Sequence, residues 1–211
     1  LENKIVFCGA SLADFDNDGA QDIAISQNQF NLNLEESRDD AGLGVILIGA
    51  GNGEFNSLGI AESGFVIPGE GRAAAVMDFN HDGLMDIIVS QNGNLPRLFK
   101  NQNKRRGLRV TLKSTEGNIN GVGASMRLLY KDESTHIGAK HIVRMGSGYL
   151  SQNTTTQIIG DSETAVGLIV TWPNGNEEGS DSELFTFDSR QLEVIAEKGK
   201  GVRWTKPNEV H

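Results

Sequence analysis

"ASLADFDNDGAQDIAISQN" (residues 10–28) returns 64 residues later as "AAVMDFNHDGLMDIIVSQN" (74–92). In both copies an apolar run leads into an acidic loop, and a β-branched run leads out of it. Each copy therefore reads as strand, acidic loop, strand. Downstream, "GLGVILIGAGNGEF" (42–55) and "LPRLFKNQN" (95–103) supply a third strand apiece. Repeats of this length built from short strands predict propeller blades of about four strands each. The period is stretched by "NQFNLNLEESRDDAG" (28–42), read as a loop whose "EESRDD" run (35–40) faces solvent.

The acidic loops have the chemistry of a hard-cation cage. Side chains at loop positions 1, 3 and 5 converge when the backbone curls around a point, and a glycine at position 6 permits the closing turn. In the first loop these are Asp14, Asp16, Asp18 and Gly19, followed by the carbonyl of Ala20 and, at position 9, Asp22. The second loop supplies Asp78, Asn80, Asp82, Gly83, the carbonyl of Leu84, and Asp86. Every donor is an oxygen, which suits calcium better than zinc or copper, with magnesium second. Two calcium sites are expected. An EF-hand is ruled out because position 12 holds Ile25 and Val89 where that loop needs a bidentate glutamate. His81, at position 4, is expected to point outward.

Bulk composition narrows the function classes. The 211-residue chain carries 19 basic and 28 acidic residues, a net charge of −9. That balance argues against a nucleic-acid phosphate backbone as partner. Two divalent cations would bring −9 to −5, so part of the acidity belongs to the loops. Cys8 stands alone, which excludes an intrachain disulfide framework and reads as a small buried apolar side chain. No apolar run approaches the roughly 18 residues of a membrane span. The chain starts at Leu1 and shows no signal-peptide pattern, so a processed product or a piece of something larger is expected.

Twenty-six glycines, few aromatics, and turn pairs at Asn52-Gly53, Asn92-Gly93, Asn120-Gly121 and Asn174-Gly175 give an all-β signature. Candidate strands are 4–7, 22–26, 44–49, 74–79, 86–91, 97–100, 108–113, 124–130, 168–172 and 192–196. After "NQNKRR" (101–106) the repeat stops and a different β pattern begins, which places a boundary near 105. The trio Lys104, Arg105 and Arg106 reads as linker charge.

The two loops with their apolar flanks resemble the FG-GAP or VCBS-type repeat of integrin α-subunit propellers and many secreted bacterial proteins. The segments "LRVTLKS", "NINGVGASMRLLY" (118–130), "RMGSGYLSQN" (144–153) and "LIVTWPNG" (168–175) resemble the ASPIC/UnbV domain that closes such proteins. The order is similar to the C-terminal part of secreted propeller proteins such as the cartilage acidic protein family. The resemblance implies a partial propeller over residues 1–105, a β-sandwich-like ASPIC/UnbV domain over 106–199 and a tail over 200–211. It also implies export to the periplasm or extracellular space. Such propellers close with about six to eight blades, so two blades leave open edges for another chain or further sequence to cover.

Nothing in the second domain reads as catalytic. "GSGYLSQN" invites a serine nucleophile at Ser147, but a nucleophile elbow needs glycine where Met145 stands. His136 and His141, five residues apart on a β segment, would face opposite sides and read as surface or packing residues. Arg144 and Tyr149 are expected in a buried ion pair or packing role, Trp172 in the core rather than on a sugar platform. Asn153-Thr154-Thr155 is a glycosylation sequon. The expectation is a non-enzymatic, calcium-binding extracellular module for adhesion, recognition or assembly, with a protein or glycan partner. The alternatives are an accessory portion of a larger secreted enzyme, or a protein that self-assembles through open blade edges.

Overall fold

The structure, a computed structural model, describes residues 7–28, 42–114, 117–131, 136–160, 162–173, 181–187 and 193–204. The "EESRDD" run, the Asn174-Gly175 pair and the side chain of Cys8 lie outside the described set. Among the described residues the fold is all-β, with several antiparallel sheets and no closed barrel. The chain divides into two units. Unit 1 comprises Leu1–Asp16, Ala20–Asn103 and Gly146–Thr154; unit 2 comprises Asn17–Gly19, Lys104–Met145 and Thr155–His211.

Unit 1 carries two blade-like sheets. The first runs β1 (Phe7–Ala13), β2 (Asp22–Gln27), β3 (Val45–Gly49), β4 (Phe55–Leu58), antiparallel in sequence order. A single helical turn, α1 (Ile60–Ser63), leads on to β5 (Glu70–Met77), β6 (Asp86–Asn92) and β7 (Asn94–Phe99). The second sheet has three strands among the described residues, one fewer than expected. The copies share register across their loops: Ala13 faces Asp22 as Met77 faces Asp86.

The first strand among the described residues is "FCGASLA"; of the predicted 4–7, residues 4–6 lie outside the described set, and close packing explains the run through Gly9, Ala10 and Ser11. A Cβ on Gly9 would sit 2.3 Å from the Arg72 carbonyl oxygen, so β1 and β5 approach at a distance only small residues allow. The Ser11 hydroxyl donates to the Ala74 carbonyl at 2.7 Å, and that of Ser26 to the Arg72 carbonyl at 3.2 Å. The repeated Ser-Gln-Asn that ends β2 and β6 is a set of backbone ties. Gln27 accepts from Gly44 N, and Asn28 bridges Gly42 N and the Gly69 carbonyl. In the second copy Ser90 accepts from Ala73 N, Gln91 donates to the Leu95 carbonyl, and Asn92 donates to Glu70.

Unit 1 also holds Gly146–Thr154, which the domain boundaries read from sequence had assigned to residues 106–199. Two hydrogen bonds fasten it to β5: Val76 N donates to Asn153 Oδ1 and Thr154 N to the Val76 carbonyl, both at 3.1 Å.

Unit 2 is a two-sheet arrangement over one core. Its strands are β8 (Leu108–Lys113), β9 (Ser125–Tyr130), β10 (His136–Ile137), β11 (His141–Ile142), β12 (Gln157–Ile159), β13 (Ala165–Trp172), β14 (Asp181–Thr186), β15 (Glu193–Glu197) and β16 (Gly201–Trp204). One sheet is ordered β10-β9-β13-β14, with β11 also on β9. The other is ordered β12-β8-β15-β16, with β8 and β15 parallel. Val110, Met126, Leu168, Trp172 and Val194 pack in a single buried cluster fed by both sheets. Alternation drives this: along β13 Leu168, Val170 and Trp172 turn inward while Ile169 and Thr171 are half-exposed. The segment 200–211, expected as a tail, begins with β16, because Gly199 and Gly201 at φ 70° and 94° let the chain fold back onto β15.

Candidate metal centre

The two acidic loops have one backbone. Position 4 is left-handed in both, Asn17 at φ 56° and His81 at φ 59°, and the position-6 glycines follow at 95° and 79°. Two consecutive turns of this kind curl each loop back on its own first residue. His81 points to solvent as its position predicted, whereas Asn17 is buried and donates from Nδ2 to the Arg105 carbonyl at 2.8 Å.

In the first loop Asp14, Asp16 and Asp18 each offer a carboxylate oxygen within 4.8 Å of the others. Oxygens held around one calcium at 2.3–2.6 Å lie at most about 4.6–5.2 Å apart, so this triangle has the size of a coordination sphere. Among the described residues no other three His, Cys, Asp or Glu side chains converge this closely. Asp14 is buried, Asp16 half-exposed and Asp18 exposed, so the cage opens toward solvent on its Asp18 side.

The second loop is arranged differently. Asp78 accepts from Asp82 N and Gly83 N, at 3.0 and 3.2 Å. Asp82 accepts from Leu84 N at 3.1 Å and from the Asn80 amide at 2.7 Å, and Lys100 Nζ lies 3.5 Å from it. An amide thus faces the Asp82 carboxylate where the first copy places Asp16, and an ammonium stands beside it.

Position 9 has a role the sequence did not disclose. Asp22 accepts Phe15 N on Oδ2 at 2.7 Å and Gly49 N on Oδ1 at 2.9 Å. Asp86 repeats this with Phe79 N at 3.0 Å and Asn101 N at 2.7 Å. Both carboxylates are fully buried and tie the start of the loop to the end of the third strand. Burial pushes the Asp86 carboxyl above the usual carboxylate range; Asp82 and Asp78 add to this, and the N–H bonds from Asn101 and Phe79 oppose it.

Asn101 is the residue that sequence reasoning passed over. Its Nδ2 donates to the Phe15 carbonyl at 2.7 Å and the Met85 carbonyl at 3.1 Å, joining the two blades, while its Oδ1 accepts from Asn103 N. The usable signal was its place just past β7, where the first copy has Gly49 at the end of β3. Phe15, held by this bond, is buried, and the equivalent Phe79 is 60% exposed. Phe15, Asp16, Phe65, Met85, Phe99 and Lys100 line part of a cleft of about 660 Å³ between the blades.

Elsewhere, Trp172 is buried in the core and cannot serve as a stacking platform. His136 is exposed and stacks on Tyr130, while His141 is buried, and they sit on separate strands. Arg144 and Tyr149 are both exposed, against the expected buried pair; next to Arg144 it is Val143 that turns inward. Ser147 Oγ accepts from Asn153 N at 3.0 Å. Among the described residues no helix is long and apolar enough to cross a membrane.

Comparison with known proteins agrees with the repeat. The FG-GAP-like repeat family matches residues 14–89, from the first acidic loop to β6. Cartilage acidic protein 1 of Xenopus tropicalis is 33% identical over 113 residues, covering 51% of this chain and 17% of that protein. The chain thus spans under a fifth of the length of this relative, and the similarity is to an FG-GAP-like repeat carried on blade-like sheets.

Proposed function

We propose that the protein is a calcium-stabilised, non-enzymatic module of the extracellular or periplasmic space, acting in adhesion, recognition or assembly. The convergence of Asp14, Asp16 and Asp18 within the matched repeat carries this reading. In the first loop these three residues, the Ala20 carbonyl and Asp22 would hold the ion. In the second, Asp78, Asn80, Asp82, the Leu84 carbonyl and Asp86 would do so. A bound calcium neutralises carboxylates that otherwise repel one another. The chain's own contribution is orientation: left-handed turns at positions 4 and 6 aim the donors, and Asp22 and Asp86 lock each loop to its sheet.

Unit 2 is proposed to be of the ASPIC/UnbV type, in keeping with its "GSGYLSQN" and "LIVTWPNG" segments and its buried Trp172. The non-enzymatic reading rests on the sequence, where Met145 stands in place of the glycine that a nucleophile elbow at Ser147 needs. A protein or glycan partner is proposed from the FG-GAP-like repeat that residues 14–89 match.

Thermal unfolding with calcium and with excess chelator tests the reading. Calcium at about a hundred times its dissociation constant should stabilise the fold by about 2.7 kcal/mol per site, and chelator should remove that gain. Identical melting curves in the two conditions would refute it.

A further inference from the structure

The third strand of each blade ends on different chemistry. Ile23 pairs with Leu47 in the first copy and Ile87 with Phe99 in the second, so the next residues, Ile48 and Lys100, hold equivalent positions. Ile48 brings no charge, whereas the Lys100 ammonium lies 3.5 Å from Asp82 Oδ2. The backbone is fixed on both sides of this lysine: Phe99 pairs with Ile87, and Asn101 N donates to Asp86 at 2.7 Å. Position 9 of the second loop therefore holds the segment that carries Lys100.

That loop meets its own negative charge with nitrogen donors. Asp78 accepts on both oxygens, from Asp82 N and Gly83 N. Asp82 accepts from Leu84 N on Oδ1 and from the Asn80 amide on Oδ2, and it is Oδ2 that faces Lys100. Two differences between the copies thus act in one direction: Asn80 in place of Asp16 removes an anion, and Lys100 in place of Ile48 adds a cation. As an ion pair this is weak, with 55% of the lysine side chain and 17% of the aspartate side chain exposed. Its weight lies in the field at Asp82, where a unit positive charge a few ångströms away opposes any second cation.

We propose that Lys100 is the resident cation of the loop at 78–86 and sets the calcium affinity of that loop by competing for Asp82. The inference rests on reading the acidic loops as calcium sites. The exposed stem lets the ammonium withdraw into water when Asp82 is needed for an ion, so the competition is reversible. The second loop then fills only at a higher calcium concentration than it would with a neutral residue at position 100.

The test titrates calcium at constant ionic strength into the full chain, unmodified and as Lys100→Met and Lys100→Arg, with the amide signals of Gly19 and Gly83 reporting the two loops by NMR. Lys100→Met keeps an unbranched stem and removes the charge. It should tighten binding at Gly83 by about threefold or more, the scale of one screened unit charge near a divalent ion, and leave Gly19 unchanged. Lys100→Arg should titrate like the unmodified chain. The sign is diagnostic, because removing a lysine that merely braced the loop would weaken calcium binding. Unchanged or weaker binding at Gly83 in the methionine variant, with Gly19 still responding, would overturn the proposal and leave the calcium reading standing, as would an arginine variant that tightens like the methionine one. Signals of both glycines that ignore calcium in every variant would refute the calcium reading and the proposal with it.

Discussion

In the loop at 14–22 three carboxylates face one another, while at 78–86 an amide replaces one of them and a lysine attends another. Around this difference the two loops are alike. Both have a left-handed residue at position 4, a left-handed glycine at position 6, and a buried aspartate at position 9 holding the same two backbone donors. The repeat therefore separates two jobs that a sequence pattern runs together. Position 9 closes the blade in both copies, and positions 1, 3 and 5 set how much negative charge the loop concentrates.

The largest expected effect comes from position 9. Asp22→Ala or Asp86→Ala leaves two backbone N–H groups without acceptors at a fully buried site, at about 1–3 kcal/mol each, so roughly 2–6 kcal/mol in all. Denaturant unfolding in chelator, where any ion contribution is absent, measures this. A loss below about 1 kcal/mol in both variants would break the claim that position 9 is a structural tie in its own right.

Next is the bridge between the blades. Asn101→Ala removes the donors to the Phe15 and Met85 carbonyls and should cost about 1–3 kcal/mol. It should also speed hydrogen exchange around Phe15 more than around Phe79, since the Phe15 carbonyl has this anchor and Met85 is the bonded residue of the second loop. Equal changes in the two loops would mean that Asn101 does not account for their different exposure at Phe15 and Phe79.

A smaller effect, away from both loops, provides a control. Burial holds the His141 imidazole below its ordinary value. Below about pH 6.5 the unfolded chain then binds a proton that the folded chain does not. The stability associated with neutral His141 is therefore present above that value and declines as pH falls through the window. His141→Gln should flatten this part of a melting-temperature profile, with the calcium response of the loops unchanged.

The acidic loops and most central strands were legible because their signals are local: a 64-residue repeat, alternating apolar residues, and glycine at the turn. Short strands such as β10 and β11, two residues each, carry too few side chains to show a period. The part of β1 beyond Phe7 was missed because Gly9, Ala10 and Ser11 have little β propensity, and only their approach to β5 makes them a strand. The ties made by Asp86 to Asn101 and by Asn153 to Val76 are invisible for another reason. Each joins residues far apart in sequence through a backbone group, which leaves no residue-type pattern to read. Lys100 gave no signal either, since its role rests on lying 3.5 Å from Asp82.

A calcium titration by calorimetry, comparing the unmodified chain with Asp16→Asn and Asn80→Asp, tests the division of labour between the loops most directly. The account predicts two unequal sites. Asp16→Asn should weaken the tighter one by about tenfold or more, and Asn80→Asp should strengthen the weaker one, each leaving the other site alone. Two identical sites, or a titration that neither substitution alters, would contradict it.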